Sequence, residues 1–493
     1  MTFEPAFINK NLIRSQAYIN GQWVSSPKTY QITDPASLKT IAVLPDQEVS
    51  AVDEAVDAAA VAFKQFKTTS PRYRAGLLRK LYDLMMENAE DLAQLITWEN
   101  GKHLNEARGE VKYAASYFEW FAEEAPRMYG HTISPANPSN RVMTRKEPIG
   151  VCGIITPWNF PAAMGCRKIA PALAAGCTVV VKPDSGTALS TLAIAYLAEQ
   201  AGFPAGTVNV VLSDTQTPEF GLRLCESKKV KKISFTGSTN VGKLLMKQSS
   251  STLKKLSFEL GGNAPVIVFD DASLDHAVEQ AVASKFRGLG QTCVCANRIY
   301  VQSGIYDKFA ERFVKTVANF TVGHGLDPAA THGCLINERA INKVEEHVKD
   351  AVSKGAVAVL PGGRRPELGS PNFYSPTVLT GVTQDMQVAN EETFGPLGAL
   401  IKFETAEEVI EYANGVDHGL ASYVFSENYN TILMVSEALE AGMVSCNTGL
   451  FTDCAIPFGG VKESGFGREG SLYGLDDYTT IKTITIGNLR PFV

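Results

Sequence analysis

The chain has 493 residues, too many for a single hydrophobic core, so two or three domains are expected. A net charge of −6 provides no basic surface, which argues against nucleic acid as the main partner. The longest apolar run, residues 169–181, is short and contains Pro171 and Gly176, so no segment is expected to span a membrane.

Helical spacing of Ala, Leu and charged residues predicts helices within 52–66 and 71–98, and Pro71 suits a first helical turn. From residue 151, short β-branched runs alternate with helical stretches. Strands are expected at 151–155, 178–181, 208–212, 232–236 and 256–260, and helices at 162–175, 188–201, 219–227 and 241–249. A second alternating stretch runs from 266–269 to about residue 446, and 361–376 and 457–467 are predicted loops. The pattern is typical of parallel sheets with crossover helices.

The cysteines indicate a reducing compartment. There are nine, an odd number without the spacing of a disulfide framework or of a zinc site, so no metal is expected. The N-terminal residues have neither the apolar region of a signal peptide nor the arginines of a transit peptide. We therefore expect a cytoplasmic protein.

A thiol and a carboxylate stand in unusual surroundings. Cys293 follows a Gly-Gln-Thr segment and precedes the β-branched run 298–301, which indicates a thiol at a strand entrance. Glu259 lies in the apolar strand 255–260, which indicates a buried base. A thiol and a base are the minimum needed for covalent catalysis. On these residues alone, a packed cysteine and a carboxylate that accepts backbone hydrogen bonds remain alternatives.

Two glycine-rich segments imitate nucleotide-binding motifs. Residues 237–244 nearly match the P-loop, but Leu244 stands where the Mg²⁺-binding hydroxyl is required. This segment instead predicts a tight turn at Gly237 and a helix N-terminus that a pyrophosphate could approach. Residues 465–470 spell G-x-G-x-x-G but follow a polar segment, so we reject them as a dinucleotide fingerprint.

Seven sequence blocks together resemble the aldehyde dehydrogenase superfamily from about residue 17 onward. They are 157–161, 182–185, 235–238, 258–263, 290–293, 391–396 and 457–462. Residues 258–265 and 290–298 resemble the succinate-semialdehyde dehydrogenases, and the chain as a whole is most similar to the fungal cytosolic type.

The resemblance implies an α/β, aldehyde dehydrogenase-like fold with two doubly wound α/β domains and a small oligomerisation flap. The implied dinucleotide-binding domain comprises 1–130 and 151–262, and the catalytic domain comprises 263–446. The implied oligomerisation element comprises 131–150 and 475–493, so a homo-oligomer, a dimer or a tetramer, is expected.

The resemblance also implies catalytic roles. Cys293 would be the nucleophile, as a thiolate, and Glu259 would activate the water that hydrolyses the thioester. Asn159 would donate to the oxyanion, a role that suits an amide because it has no proton to lose. The residues alone would favour a turn residue at position 159.

The implied cofactor site draws on several blocks. Its residues are Trp158, Asn159, Lys182, Pro183, Asp184, Ser185, Gly237, Ser238, Leu260, Glu392 and Phe394. Many NAD-preferring relatives carry Glu at the position of Ser185, where it would bond a 2′-hydroxyl and repel a 2′-phosphate. Because Ser185 accepts the phosphate and Lys182 can pair with it, we expect NADP as the preferred cofactor, with NAD tolerated.

The substrate expected from the resemblance is succinate semialdehyde, oxidised to succinate in 4-aminobutyrate degradation. Arg167, Arg287 and Thr452 are the implied ligands of its carboxylate, although an arginine unaided is more often a surface charge. Another aldehyde, such as glutarate semialdehyde or a betaine precursor, is the first alternative. A catalytically inactive structural or binding protein is the second.

The Cys-Val-Cys step further predicts a redox switch between Cys293 and Cys295. In a straight strand, residues two apart have Cα atoms roughly 6.5–7 Å apart, the limit of disulfide reach. A bridge therefore requires the loop to leave the extended conformation. The alternative is that Cys295 only packs.

Overall fold

Helices and strands alternate through the described part of the chain, residues 3–490, in this computed structural model. The α-helices are α1 (Ser50–Phe66), α2 (Pro71–Glu87), α3 (Ala89–Asn100), α4 (Leu104–Glu124), α5 (Ala163–Ala175), α6 (Leu189–Ala201), α7 (Thr217–Glu226), α8 (Thr239–Ser249), α9 (Leu274–Phe286), α10 (Tyr306–Val317), α11 (Glu338–Ser353), α12 (Gln387–Asn390), α13 (Ala406–Asn414) and α14 (Tyr429–Ala438). Among the described residues, no helix has the length and apolar character needed to cross a bilayer.

The strands fall into two large sheets and several small ones. They are β1 (Ala17–Ile19), β2 (Gln22–Val24), β3 (Thr29–Thr33), β4 (Thr40–Pro45), β5 (Thr132–Ile133), β6 (Arg141–Pro148), β7 (Val151–Ile155), β8 (Thr178–Lys182), β9 (Val208–Val210), β10 (Val230–Thr236), β11 (Lys255–Glu259), β12 (Ala264–Val268), β13 (Ala296–Gln302), β14 (Val357–Leu360), β15 (Gly363–Arg364), β16 (Tyr374–Ser375), β17 (Thr377–Thr380), β18 (Leu397–Phe403), β19 (His418–Gly419), β20 (Ala421–Phe425), β21 (Met443–Cys446), β22 (Val461–Lys462), β23 (Gly465–Phe466) and β24 (Thr479–Ile486).

The first large sheet has the order β2-β1-β9-β8-β7-β10-β11-β23. Strands β7 to β11 are parallel to one another, as the five predicted strand–helix units require. Alternate residues point to opposite faces. Val151 and Ile233 pack with α1, α7 and α8, whereas Ile154 and Val179 pack with α2 to α6. Both faces are therefore covered, which explains the continuous apolar run 179–181 in β8.

The second large sheet has the order β14-β17-β18-β13-β12-β20-β21. It is covered by α9 and α10 on the face of Val266 and Ile299, and by α11 to α14 on the face of Ile267 and Tyr300. The α/β fold with two doubly wound units is thus confirmed. The exact domain boundaries stay a prediction.

A small antiparallel sheet has the strand order β24-β6-β5. Its strands lie within the ranges predicted for the oligomerisation element, 131–150 and 475–493, of which residues 491–493 lie outside the described part; residues 1–2 of the predicted 1–130 segment do so too. Large apolar side chains on it are exposed: Ile133, Met143, Ile481 and Ile486.

Local structure departs from the sequence prediction in four places. The predicted stretch 71–98 is divided at Asn88, whose side chain donates to the carbonyl of Leu84 and closes α2. Helix α4 was not predicted, because alternating charges obscure its apolar face. The predicted loops 361–376 and 457–467 contain two-residue strands. In the second loop, Gly465 pairs with Glu259, so the rejected G-x-G-x-x-G segment forms a sheet edge.

Candidate active site

The predicted site residues follow the carboxyl ends of adjacent parallel strands. Lys182 ends β8, the segment 157–159 follows β7, and Gly237 follows β10. The sheet register aligns these ends: Ile155 is opposite Lys182, and Thr236 is opposite Glu259. In an open parallel sheet, this edge is where ligands bind.

Two glycines allow the Cys293 loop to approach its neighbours. A Cβ on Gly262 would lie 2.5 Å from the carbonyl oxygen of Cys293. Gly290 has a φ of +78°, and a Cβ there would lie 2.2 Å from the carbonyl oxygen of Gly395. Larger residues would force the loop away from the first sheet and from the Phe394 segment. The glycines of the predicted blocks 258–263 and 290–293 therefore position the thiol.

Cys293 and Asn159 separate two cavities. The first cavity, of about 190 Å³, is lined by Pro157, Trp158, Asn159, Thr236, Gly237, Ser238, Leu260, Gly261, Cys293, Glu392 and Phe394. The second cavity, of about 20 Å³, is lined by Tyr113, Asn159, Phe160, Met164, Arg167, Arg287, Thr292, Cys293, Val294, Thr452 and Phe458. The thiol can thus face a ligand on each side. Predicted cofactor residues line the first cavity, and predicted substrate residues line the second.

The thiol of Cys293 is half-buried between these cavities. Burial raises its pKa to about 12, and the positive charge of Arg167 opposes this rise. The thiol form is therefore favoured in the free protein at neutral pH. Formation of the thiolate requires a base or an added positive charge in the site.

Asn159 links the two large sheets. Its Nδ2 donates to the carbonyl oxygen of Gln291, 3.1 Å away, two residues before the thiol. A side-chain amide carries two N–H donors, so one remains for a ligand beside Cys293. The backbone carbonyl of Asn159 accepts a hydrogen bond from Nζ of Lys102 at 2.7 Å. Lys102 also forms a buried ion pair with Glu110 at 2.5 Å.

Glu259 is 2% exposed and lines neither cavity, and its charge acts on the thiol of Cys293. Its Oε2 has no hydrogen-bond partner. Burial raises its pKa well above the usual range, and the charge of Glu469 adds to this effect. Glu469 is itself buried, and ion pairs with Arg167 and Lys168 keep its pKa low despite burial. The raised pKa makes the Glu259 carboxylate a stronger base than an exposed glutamate.

The predicted substrate residues all line the second cavity, but they differ in burial and in their bonding partners. Arg167 is 1% exposed, is paired with Glu469, and has its Cζ 4.3 Å from the centroid of the Phe458 ring. Its Nη2 is buried without a hydrogen-bond partner. Arg287 is half-buried, and it also lines an outer cavity of about 950 Å³ between α9 and α10. Thr452 completes the lining.

Aromatic and acidic groups close the first cavity. Trp158 and Phe394 meet edge to face, with ring centroids 5.5 Å apart. Oε1 of Glu392 accepts from the backbone N–H of Gly262 at 3.2 Å, and burial raises the pKa of this carboxyl group to about 8. The lining of the first cavity thus combines two aromatic rings with a hydrogen-bonding carboxyl group.

The four predicted cofactor residues 182–185 lie outside both cavities, at the end of β8. Asp184 accepts from the N–H of Gly186 at 2.9 Å, and Ser185 donates to Asp214 at 2.6 Å. Lys182 is 3% exposed, and burial lowers its pKa. The predicted cofactor residues therefore form two groups along the carboxyl ends of the strands in the first large sheet.

This edge fits a dinucleotide. Helix α8 begins directly after Gly237 and Ser238, which line the first cavity, and Ser238 makes no side-chain capping bond. The hydroxyl oxygen of Thr236 is buried there without a partner. The N-terminus of α8, at the end of β10, could therefore bind a pyrophosphate. The end of β8 could bind the remainder of the dinucleotide.

Cys295 lies beside the site and lines neither cavity. It is 6% exposed, and its thiol donates to the carbonyl of Arg287 at 3.8 Å. Its N–H donates to the carbonyl of Thr292 at 3.0 Å, so the segment between the two cysteines is a turn and not a straight strand.

Residues 23–484 match the aldehyde dehydrogenase family. The chain belongs to this family. The resemblance carried by the seven sequence blocks is thus confirmed, as is the prediction that the protein is an aldehyde-oxidising enzyme.

Individual members of the family are similar over nearly their whole length. The chain is 65% identical over 487 residues to the succinate-semialdehyde dehydrogenase (NADP(+)) of Saccharomyces cerevisiae, which covers 99% of this chain and 98% of that relative. It is 50% identical over 477 residues to the glutarate-semialdehyde dehydrogenase of Pseudomonas putida, covering 96% and 98% of the two chains. The crystal structure of succinate-semialdehyde dehydrogenase from Burkholderia pseudomallei has a TM-score of 0.96 at 49% identity, covering 98% of this chain and 100% of that one.

Several supporting residues of this aldehyde dehydrogenase were missed in the sequence. Lys102 and Glu110 hold the Asn159 segment, and Glu110 also accepts from the N–H groups of Ala162 and Ala163, just before and at the start of α5. Glu469 neutralises Arg167. These residues lie far from their partners along the chain, and no local motif marks them. The available signal was a charged residue, Glu110, at a position on the apolar face of α4, and α4 itself was not predicted.

Proposed function

We propose that this protein oxidises succinate semialdehyde to succinate, with NADP preferred and NAD accepted. The observation that carries this proposal is the position of Cys293 and Asn159 between two cavities, one fitted to a dinucleotide and one containing two arginines. A nucleophile in this position can hold an aldehyde carbon next to a nicotinamide ring.

Cys293 acts as the nucleophile. Water carries the thiol proton to solvent as the sulfur attacks the aldehyde carbon, and the aldehyde oxygen becomes the oxyanion of a thiohemiacetal. Asn159 Nδ2 and the backbone N–H of Cys293 donate to this oxygen, where charge develops. The bound dinucleotide supplies the acceptor for the hydride that leaves the same carbon. A thioester on Cys293 remains.

Glu259 completes the reaction as the general base. It takes a proton from water, whose oxygen attacks the thioester carbon, and the sulfur of Cys293 leaves. Its raised pKa suits this role, because the carboxylate is then basic enough to take a proton. Its unpartnered Oε2 is free to bind that water.

The arginines select an anionic aldehyde. Planar guanidinium groups bind carboxylates at two points, and Arg167, whose Nη2 has no hydrogen-bond partner, lines the second cavity. A cavity of about 20 Å³ holds only one or two waters. A four-carbon substrate therefore requires movement, and we assign it to Arg287, which also borders the outer cavity.

NADP preference is proposed from Ser185 and Lys182 at the end of β8. Position 185 carries no negative charge of its own, and Lys182 supplies a positive one. The yeast relative with 65% identity is named for NADP(+), in agreement with this assignment.

Glutarate semialdehyde is the second candidate substrate, because a relative with 50% identity is named for it. It carries one methylene group more than succinate semialdehyde. Such a difference in an apolar pocket changes specificity by about 1–3 kcal/mol. A betaine precursor is disfavoured, because it is cationic and the second cavity contains two arginines. An inactive protein is disfavoured by the convergence of Cys293, Asn159 and Glu259.

The proposal also covers the oligomeric state of the protein and its location in the cell. We propose a dimer or tetramer in which the small sheet of β5, β6 and β24 contacts a second copy, since Ile133, Met143, Ile481 and Ile486 are exposed on it. We also propose a cytoplasmic location, where a reducing environment keeps Cys293 as a free thiol. Light scattering of the purified protein and fractionation of the source cells test these two points.

The activity is tested by the absorbance of reduced nicotinamide with succinate semialdehyde, using NADP and NAD side by side. Glutarate semialdehyde and butyraldehyde serve as matched substrates. We expect the highest kcat/KM with succinate semialdehyde and NADP. A higher kcat/KM with butyraldehyde would overturn the assignment of an anionic substrate.

A further inference from the structure

Ser185 and Asp214 lie at the ends of neighbouring parallel strands. Ser185 follows β8, and Asp214 follows β9, which pairs with β8 through Val181 and Val210. The hydroxyl of Ser185 donates to Oδ1 of Asp214 at 2.6 Å. The group on which NADP preference rests is thus already bound to a carboxylate.

Asp214 is held in place by the loop that contains it. Asp46 is 5% exposed and accepts from the hydroxyl of Ser213 at 2.8 Å and from the hydroxyl of Thr215 at 2.7 Å. It also accepts from the backbone N–H of Asp214 at 3.1 Å. Residues on both sides of Asp214 are therefore anchored, and its exposed side chain extends from a fixed backbone.

The charges around this strand edge are mostly negative. Burial lowers the pKa of Lys182, and the charges that oppose this lowering come from Asp184, Asp214 and Asp46. A 2′-phosphate carries about two negative charges at neutral pH. If it bound beside Ser185, it would face Asp214 directly and compete with it for the hydroxyl proton. A 2′-hydroxyl is not repelled by Asp214, because it is neutral. It can also donate a hydrogen bond to the carboxylate.

We propose that Asp214 is a specificity-determining residue that weakens binding of the 2′-phosphate and thereby keeps NAD an accepted cofactor. The inference rests on the proposed function, since it requires the adenosine end of the cofactor to lie beside Ser185. It assigns opposite effects to two neighbours: Lys182 favours the phosphate and Asp214 disfavours it. The preference between the cofactors is the balance of these charges.

The variant Asp214→Asn tests the inference, because it removes the charge and keeps an oxygen that accepts from Ser185. Glu219→Gln is the matched control, since it removes one exposed acidic charge from the first turn of α7. Dissociation constants of NADP and of NAD are measured by calorimetry for the full-length wild type and both variants. No aldehyde is present, so the result does not depend on turnover.

We expect Asp214→Asn to bind NADP roughly 5- to 100-fold more tightly, the effect of removing one charge near a phosphate at a protein surface. Binding of NAD should change by less than about twofold, and the gain for NADP should shrink in high salt. Glu219→Gln should match the wild type.

Two results would overturn the inference in distinguishable ways. Unchanged NADP affinity in Asp214→Asn, with both nucleotides binding the wild type, would remove Asp214 from cofactor selection and leave the proposed function standing. Failure of the wild type to bind either nucleotide would overturn the inference and the proposed function together.

Discussion

The side-chain amide of Asn159 donates a hydrogen bond to the carbonyl oxygen of Gln291, 3.1 Å away, and so joins the edges of the two large sheets beside Cys293. Asn159 follows a strand of the first sheet, and Gln291 precedes a strand of the second. The oxyanion donor and the nucleophile therefore come from different halves of the chain and meet where the two cavities adjoin. This arrangement leads to the following predictions.

Replacement of Cys293 by Ala should abolish dehydrogenase turnover while leaving folding and nucleotide binding intact. The variant removes the nucleophile and changes little else, since the side chain is half-buried. The matched control is Cys446→Ala, which removes a half-buried thiol that lines neither cavity. Steady-state rates and calorimetric nucleotide binding check the result. Turnover by Cys293→Ala within about tenfold of the wild type would remove it from the nucleophile role.

Replacement of Arg287 by Ala should raise KM for succinate semialdehyde far more than KM for butyraldehyde, which lacks the carboxylate. Loss of a charge-assisted hydrogen bond costs about 1.5–3 kcal/mol, or roughly 10- to 150-fold. Arg167→Ala should show the same selectivity. It should also lower the free energy of unfolding, because Glu469 then loses a buried partner.

Arg167→Lys is the control for the lowered free energy of unfolding, since it keeps a positive charge beside Glu469 but loses the planar guanidinium group. Thermal unfolding separates stability from substrate binding. Equal damage to the kinetics of both aldehydes would indicate general structural harm and not a carboxylate contact.

The sequence predicted the parallel strands and most helices, because hydrophobic periodicity and Gly or Pro boundaries are local signals. Through the family resemblance it also named part of the lining of each cavity, but not Tyr113, Met164 or Phe458. It did not reveal that Arg167 is paired with Glu469, or that the backbone carbonyl of Asn159 accepts a hydrogen bond from Lys102. The partners are distant along the chain. Such pairs arise from tertiary packing, which no local pattern encodes.

Replacement of Ser185 by Glu should shift preference from NADP to NAD. A carboxylate beside a 2′-phosphate should cost about 1–3 kcal/mol, or ~5- to 100-fold in relative kcat/KM. Ser185→Ala is the matched control, because it removes the hydrogen bond to Asp214 without adding charge. The ratio of kcat/KM for NADP to that for NAD is the measurement. An unchanged ratio in Ser185→Glu would show that position 185 does not contact the 2′ substituent.

The predicted redox switch should appear as reversible inactivation by mild peroxide, with recovery in dithiothreitol. The turn between Thr292 and Cys295 takes the loop out of the extended conformation, as a bridge between Cys293 and Cys295 requires. Without Cys295, the oxidised nucleophile has no resolving thiol and proceeds to states that dithiothreitol does not reduce. Cys295→Ala should therefore recover less activity than the wild type. Identical loss and recovery in both would show that Cys295 only packs.

Replacement of Glu259 by Gln should separate the two halves of the reaction. The variant keeps the thiol and the oxyanion donors but lacks the base that activates water. A burst of reduced nucleotide, followed by a slow steady rate, is expected in rapid-mixing absorbance experiments. A steady rate equal to that of the wild type, with no burst, would assign water activation to another group.

The most direct test of covalent catalysis at Cys293 uses the same variant. Glu259→Gln is mixed with succinate semialdehyde and NADP, quenched in acid, digested and examined by mass spectrometry. If the reaction passes through a thioester on Cys293, we expect one succinyl group per chain, on the sulfur of Cys293, and none when NADP is omitted. Reduced nucleotide formed without any acyl group on Cys293, or with the group on another residue, would contradict it.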